Sequence, residues 1–416
     1  MNVVYVYQGE WPKGATRVAK QVNALSRSGH RVDLVCRNYG RARRVERWGD
    51  GDITVRRLPA FPLRLLNRIA NFPLFLNPVW VWAVWTVARR SHADVLIVAD
   101  LPLAPTVFWV GRMLGIPVHY DMAEVYPEFL KTLWSVGHMS ALDHVVRSPR
   151  AAALLERYIV RRVRSLSVVS EESRDRAIAI GAKSDRIVLV GNTPENVRML
   201  STPQPVPEEL ARLGGRPRAV FVGTIIADRG VTESVEALRD VVDEIPNAAL
   251  VIVGDGPDRP RLLRTIERLR LRDHVLFLGW REHHTLTAFY QHADVGLLPF
   301  LDTPHVRITM ANKLFDYMAA GLPVLGSDLP PIRRVLEETR AGLLFPPGDH
   351  RTQARRLVEL FRDPVRRRVL GVNGRQAVAR KYSWKIDAAV LVERIEDLAG
   401  RRPGTPEAAS LVGAGS

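Results

Sequence analysis

Asn312, Lys313 and Asp316 combine residue types and spacing that suit the binding of a nucleoside diphosphate. A strand-like apolar run precedes them, and the pattern predicts a helix from about Met310 to Ala320 that ends at Gly321. The first turn of a helix presents free backbone N–H groups and the positive end of the macrodipole, which favour phosphate, and Lys313 adds a cation. Asp316 lies one turn further on the same side, where a carboxylate suits ribose hydroxyls. The alternative is an ordinary capped loop with a solvated Lys–Asp pair.

Arg229 is a second cationic residue at the expected start of a helix. It follows a strand that ends at Val222, with Gly223 directly after the strand and Gly230 directly after the arginine. Glycines allow the backbone to approach a ligand closely, and a guanidinium at a helix N-terminus can hold a diphosphate through two hydrogen bonds. The pattern therefore predicts diphosphate binding by Arg229, with a solvated surface arginine as the alternative.

Asp121 and Glu124 are the acidic residues expected nearest to a reaction. They follow a strand predicted over Pro117–Asp121, and ligands of parallel sheets bind beyond the carboxyl ends of the strands. We expect these two carboxylates to take part in catalysis or in binding a substrate at a cleft, unless they cap the backbone that follows Met122. His119 lies inside the same strand and is expected to be buried.

Strand-like runs alternate with helical patterns along almost the whole chain, which predicts parallel, doubly wound α/β sheets. Residues 201–217 are rich in proline and glycine and predict a linker, so we expect one domain over 1–200 and another over 218–381. An amphipathic segment follows at 382–400, and 401–416 is expected to be a disordered tail. The strands are expected near Asn2–Tyr7, Arg31–Cys36, Ile53–Arg57, Val95–Ala99, Pro117–Asp121, Ser165–Ser170, Ile187–Val190, Arg218–Val222, Ala248–Val253, Val275–Leu278, Val295–Leu298 and Pro323–Gly326.

The segment NKLFDYMAAGLPVLGSD, residues 312–328, resembles the donor-site signature of the family 4 (group 1) glycosyltransferases. These are retaining enzymes of the GT-B fold. The resemblance therefore implies two Rossmann-like doubly wound domains facing each other across a cleft, with the segment 382–400 crossing back to the first domain as a helix. The family carries two glutamates in this region. The position of the second is occupied by Asp316 in this chain, and the position of the first by Ile308.

The same resemblance implies roles for residues elsewhere in the chain. Arg229 matches a lysine that holds the donor diphosphate, while Thr224 stands where the family has an arginine. Ala123 stands where similar chains have a histidine near the sugar. The other implied positions are Gly14, in a loop that faces the donor phosphates, Trp280 and Arg281, in the region that holds the nucleobase, and Asn192, on the interdomain side of the cleft.

The composition is that of an intracellular globular protein. The 416 residues are 46% hydrophobic and 25% charged, which suffices for two cores and argues against extensive disorder. The single cysteine, Cys36, excludes intramolecular disulfides and fits a reducing compartment. The first residues lack the pattern of an export signal, so we expect a cytoplasmic protein. We expect no metal and no cofactor, with the nucleotide sugar acting as a substrate.

The formal net charge of +16 is concentrated in one part of the first domain. The region Arg37–Arg68 is rich in arginine and favours contact with polyanions. An uncharged segment with Trp80, Trp82 and Trp85 follows, but asparagines and prolines interrupt it, so a membrane span is not expected. A buried helix, solvated arginines and a Trp-rich helix on an anionic membrane all remain open. Nucleic acid is not expected, because no nucleic-acid-binding motif accompanies the charge.

These features together predict a cytoplasmic, peripherally membrane-associated retaining glycosyltransferase. Its donor would be a nucleotide-diphosphate sugar, and its acceptor a lipid-linked or polysaccharide molecule of the cell envelope or an exopolysaccharide. The alternatives are a GT-B sugar-nucleotide epimerase and a catalytically degenerate GT-B binding subunit.

Overall fold

The computed structural model describes residues 1–12, 14–38, 43–49, 51–59, 76–135, 148–195 and 197–400. These residues form two α/β domains, each built on a mainly parallel sheet, with a hollow between them. Lys13, residues 39–42, 50 and 60–68 of the Arg37–Arg68 region and the predicted tail 401–416 lie outside the described residues.

The sheet of the first domain has the described strand order β3-β4-β2-β1-β5-β6-β7-β8, and only β3 is antiparallel to its neighbour. Residues of its central strand alternate between two cores, since Val3 and Tyr5 pack with α1 (Thr16–Arg27) and Val4 and Val6 pack with α2 (Pro78–Arg90). Both faces are covered, which explains the continuous apolar runs of the strands. The strands are β1 Asn2–Glu10, β2 Arg31–Arg37, β3 Val45–Trp48, β4 Ile53–Arg57, β5 Val95–Ala99, β6 Val118–Met122, β7 Ser165–Val168 and β8 Ile187–Leu189.

The sheet of the second domain is parallel throughout, in the order β11-β10-β9-β12-β13-β14. Strand order reverses between β9 and β12, as it does between β1 and β5 in the first sheet. Ligands of open α/β sheets bind beyond the carboxyl ends of strands at such points. The strands are β9 Arg218–Val222, β10 Ala249–Val253, β11 Val275–Gly279, β12 Val295–Leu298, β13 Val324–Ser327 and β14 Gly342–Phe345.

The helices other than α1 and α2 follow the alternating pattern of the sequence. They are α3 Ala104–Leu114, α4 Tyr126–Ser135, α5 Pro149–Val160, α6 Glu171–Ala179, α7 Val197–Ser201, α8 Glu208–Ala211, α9 Val231–Glu244, α10 Arg259–Arg268, α11 Leu286–Gln291, α12 Asn312–Ala320, α13 Pro330–Thr339, α14 His350–Arg362, α15 Pro364–Arg380 and α16 Trp384–Leu398.

The last helix, α16, packs against α1 of the first domain, as the resemblance implied. Arg394 donates a hydrogen bond to the carbonyl oxygen of Asp185 at 3.0 Å. In the connection that leaves the first domain, the Thr193 hydroxyl donates to the carboxylate of Asp387 on α16. The two crossings between the domains are therefore tied to each other.

Some elements differ from the prediction. The short strands β3 and β14 lie at sheet edges and were not expected. The expected linker contains the short helix α8, whose Leu210 is buried in the core of the second domain. The helix predicted from about Met310 begins at Asn312. Cys36 is buried, and burial raises the pKa of its thiol to about 12, as expected for a structural cysteine.

The tryptophans of α2 do not share one environment, which corrects the prediction that all three could meet a membrane. Asn77 caps the helix, and Pro78 occupies its first turn. Trp80 is buried in the core, Trp85 is half-buried and Trp82 is 51% exposed. Within the ranges described above, no helix is both long enough and apolar enough to cross a membrane.

Candidate active site

A cavity of about 440 Å³ lies between the two domains at the points where both sheets reverse their strand order. Its first-domain wall comes from the loop after β1 and from the carboxyl ends of β5 and β6. Its second-domain wall comes from the loop after β9, the end of β12 and the start of α12. The candidate residues that line it are Gly14, Asp121, Glu124, Asn192, Gly223, Arg229 and Lys313.

Arg229 is directed to the cavity by the turn that precedes α9. Its guanidinium carbon lies 4.4 Å from the centroid of the Phe300 ring, and its Nε lies 3.7 Å from the nearer carboxylate oxygen of Asp228. Gly230 has a φ of +61°, and a Cβ there would lie 1.8 Å from the carbonyl oxygen of Pro299. The glycine is therefore required for the turn that positions the arginine.

Lys313 reaches the same cavity from the first turn of α12. The N-cap residue, Ala311, supplies no side-chain acceptor for the backbone N–H groups of that turn. The ammonium of Lys313 lies 2.9 Å from an oxygen of Asp316 and 5.8 Å from the centroid of the Tyr290 ring. Arg229 and Lys313 thus bring two cations and two helix starts to one hollow.

Asp316, which was expected to bind ribose, is not among the residues that line this cavity. It is buried, with 7% of its surface exposed, and its carboxylate is directed at Lys313. One helical turn separates the two residues, so the carboxylate orients the ammonium at short range. In the structure, Asp316 is the ion-pair partner of Lys313.

Asp121 is fully engaged by protein groups. Its two oxygens accept hydrogen bonds from Arg17, Gln21 and Ser167 at 2.6–2.9 Å. Burial opposes ionisation, but Arg17 and the Ser167 hydroxyl hold the pKa of Asp121 below its ordinary value. Asp121 is therefore an anion whose acceptor positions are taken by protein groups, and its expected part in catalysis or acceptor binding stays a prediction.

Arg17 is the central residue of the first-domain wall and was not singled out in the sequence. It donates to Asp121, to the carbonyl oxygens of Val190 and Gly191, and to the side-chain oxygen of Asn192, at 2.7–3.1 Å. These bonds link α1, β6 and the start of the connection between the domains. The buried polar residues Lys20 and Gln21 follow on the same face of α1, and that spacing is the sequence signal that was available.

Glu124 faces the cavity and contacts the second domain. One of its oxygens lies 3.4 Å from Nε2 of His305, which belongs to the loop before α12. Burial lowers the pKa of His305 to about 4, so the imidazole is neutral at ordinary pH. The carboxylate of Glu124 remains 48% exposed, although partial burial raises its pKa.

Trp280 and Arg281, expected near the nucleobase, do not line this cavity. Trp280 is 69% exposed, and Arg281 lies 3.1 Å from Glu209 in an ion pair. Thr224 and Ala123 do line the cavity, so both substituted family positions face it. Ile308 is not among the residues that line the cavity, and its carbonyl oxygen accepts a hydrogen bond from Ser170 of the first domain at 2.8 Å.

His119 is buried between Ser165 and Ser167, as expected, and burial lowers its pKa to about 4. Among the side chains that the structure describes, no group of His, Cys, Asp or Glu residues is arranged to hold a metal ion.

Two family models match the chain. The one described as "Glycosyl transferases group 1" matches residues 216–363, and the one described as "Glycosyl transferase 4-like domain" matches residues 14–193. The matches fall on the two domains that enclose the cavity. The chain belongs to the group 1 (family 4) glycosyltransferases, and it is a glycosyltransferase.

Two relatives illustrate the range of acceptors in the family. The chain is 26% identical to 2-deoxystreptamine glucosyltransferase of Streptomyces kanamyceticus, over 84% of this chain and 89% of the relative. It is 33% identical to phosphatidyl-myo-inositol mannosyltransferase of Mycobacterium leprae, over 45% of this chain and 50% of the relative.

Solved structures confirm the GT-B fold. Sucrose-phosphate synthase from Thermosynechococcus elongatus superposes with a TM-score of 0.76 at 20% identity, over 97% of this chain and 100% of that one. HepE of Anabaena, in complex with UDP-glucose, superposes with a TM-score of 0.69 at 15% identity, over 95% and 100% of the two chains.

Proposed function

We propose that this glycosyltransferase moves a sugar, with retention of anomeric configuration, from a nucleotide-diphosphate donor to a lipid-linked or polysaccharide acceptor. The observation that carries the proposal is the shared cavity onto which Arg229 and Lys313 both open. The HepE complex with UDP-glucose supports the donor class, and the phosphatidyl-myo-inositol mannosyltransferase relative supports the acceptor class. The acceptor belongs, on this proposal, to cell-envelope or exopolysaccharide synthesis.

The donor diphosphate lies between Arg229 and Lys313. The guanidinium forms two directed hydrogen bonds, the ammonium acts as a compact charge, and the starts of α9 and α12 add backbone N–H donors. Gly223 and Gly14 leave room for the diphosphate between the walls. These groups neutralise the departing diphosphate, so the reaction needs no metal ion.

The acceptor attacks from the same face of the sugar that the diphosphate leaves. The bond from the anomeric carbon to the diphosphate oxygen breaks, the bond to the acceptor oxygen forms, and the departing diphosphate takes the acceptor's proton. The protein supplies orientation and charge stabilisation. Arg17 and Asp121 hold the first-domain wall in place, and Glu124 contacts the sugar and acceptor side.

The first domain also lies against the inner face of an anionic membrane. Exposed Trp82 on α2 and exposed Trp109 on α3 accompany Arg44, Arg89 and further basic residues of that domain. Tryptophan and arginine together favour the interfacial region of anionic bilayers. The membrane gives the enzyme access to a lipid-linked acceptor.

The donor site is tested by thermal stabilisation with a panel of sugar nucleotides. Binding to the native state raises the unfolding temperature, so the wild-type protein is expected to respond to at least one nucleotide. Lys313→Ala is expected to lower the affinity for that nucleotide at least tenfold, because the ammonium is lost from the cavity. Lys381→Ala is the matched control, since Lys381 also pairs with a carboxylate but lies on the surface. Equal affinity in wild type and Lys313→Ala would contradict the site.

Product analysis separates transfer from the other candidate activities. A sugar-nucleotide epimerase converts the donor without an acceptor, and a degenerate subunit binds the donor without turnover. Incubation of the selected donor with and without membranes distinguishes all three outcomes.

A further inference from the structure

Asp100 is an acidic residue of the cavity wall that neither the sequence pattern nor the resemblance singled out. It directly follows β5, at the point where the first sheet reverses its strand order, and it lines the cavity beside Asp121 and Glu124. The donor cations Arg229 and Lys313 belong to the opposite domain.

The hydrogen bonding of Asp100 is incomplete. The backbone N–H of Glu124 donates to its carboxylate, and its own backbone N–H donates to the carbonyl oxygen of Asp121 at 3.0 Å. Its Oδ1 is shielded from solvent and has no hydrogen-bond partner among the described residues. An unpaired buried acceptor is costly, so a donor supplied by a ligand would complete the site.

The backbone of Asp100 is strained as well. Its φ of 62° and ψ of 165° lie in a region that only glycine occupies readily. The surrounding structure must hold this conformation in place. Burial and the neighbouring Glu124 and Asp121 also raise the pKa of Asp100 to about 7.

The other two carboxylates of the wall are placed differently. Asp121 is saturated by Arg17, Gln21 and Ser167, and all the bonds of Arg17 go to Asp121 and to residues of the interdomain connection. Glu124 is exposed and faces the neutral His305. The charge of Arg17 favours the ionised forms of Asp100 and Glu124, but none of its hydrogen bonds goes to Asp100.

We propose that Asp100 accepts a hydrogen bond from a hydroxyl of the acceptor, and that the acceptor presents a polyhydroxy ring to this wall. This inference rests on the proposed function, because it assigns the acceptor side of the same cavity.

The test is calorimetric titration of the full chain with two polyol probes, myo-inositol and 2-deoxystreptamine, which are neutral and cationic. Wild-type protein is expected to bind at least one of them, and Asp100→Asn is expected to lower the affinity for that probe at least tenfold. Asp94→Asn is the matched control, because Asp94 directly precedes β5 at the far end of the same strand and is exposed. It should leave the affinity unchanged.

Asp100→Gly provides a second variant whose folding is protected, because glycine relieves the strained backbone. Its unfolding temperature should not fall, while its polyol affinity should fall as in Asp100→Asn. Unchanged polyol affinity in both variants, or no binding of either probe to wild type, overturns the assignment. The sugar-nucleotide panel is read separately, so failure of the donor site would leave the polyol titration to decide on Asp100.

Discussion

Arg17 shows how one side chain connects the candidate site to the rest of the fold. It is 13% exposed and its partner Asp121 is 1% exposed, so the pair is largely shielded from water. Removing one member of a buried pair leaves an uncompensated charge, which costs about 3–5 kcal/mol. Arg17 also fixes the start of the connection between the domains through Asn192 and two backbone carbonyls.

We predict that Arg17→Ala is destabilised by about 3 kcal/mol at pH 8 and by less at pH 5. In wild type, the lowered pKa of Asp121 contributes stability that is present above its unfolded pKa and is lost only in strong acid. Without Arg17, burial raises the pKa of that carboxyl, so stability is lost as the pH rises through the new value. Denaturant unfolding at both pH values measures the difference.

Arg212→Ala is the control for this experiment, because Arg212 pairs with Glu208 on the surface, where both side chains are more than two-thirds exposed. Its change should be near zero at both pH values. An equal loss of stability for Arg17→Ala at pH 5 and pH 8 would show that Asp121 is not the linked group.

At the scale of elements, the donor wall depends on the turn that leads from β9 into α9. We predict that Gly230→Ala loses about 2 kcal/mol of stability or more. The added Cβ would collide with the carbonyl oxygen of Pro299, and alanine would be strained at the positive φ of this turn. Arg229 would shift with the turn, and nucleotide affinity would fall. Thermal unfolding and the sugar-nucleotide panel measure the two effects.

Gly214→Ala is the matched control, because Gly214 also has a positive φ but nothing lies within 4 Å of its hypothetical Cβ. It should show only backbone strain, about 1 kcal/mol, and unchanged nucleotide affinity. If both variants behave alike, the contact with Pro299 does not set the position of Arg229.

The elements that sequence patterns predicted well are those whose signals are local. From the apolar strand patterns and the glycines after Val222 and Ala320, we predicted that Arg229 and Lys313 lie at helix starts. In the structure both residues line one cavity. Arg17, His305 and Asp100 were missed because their partners are distant in sequence; Arg17 and Asp121, for example, are brought together only by the packing of α1 on the sheet. Trp80 and Trp82 are two residues apart, and only the packing of α2 decides which of them is buried.

The short strands β3 and β14 escaped prediction for a related reason. An edge strand of four residues carries little apolar alternation, so its pairing depends on the neighbouring strand. Asp316 was predicted to bind ribose from helical spacing and from its match to a family glutamate, and the same spacing explains the ion pair with Lys313 that the structure contains.

For the molecule as a whole, each domain carries an exposed tryptophan, and substituting each one tests which domain binds a membrane. Trp82 lies on the first domain with Arg44 against its ring, whereas Trp280 lies on the second domain and is more exposed. We predict that Trp82→Ser reduces binding to vesicles of phosphatidylglycerol and phosphatidylcholine several-fold, because an interfacial aromatic anchor is lost. Trp280→Ser should bind like wild type.

Binding of wild type should also weaken as salt is raised, since exposed charges are screened beyond about 8 Å at physiological ionic strength. Co-sedimentation measures all three, and an equal loss in the two variants, or none in either, would mean that the first domain does not hold the membrane face.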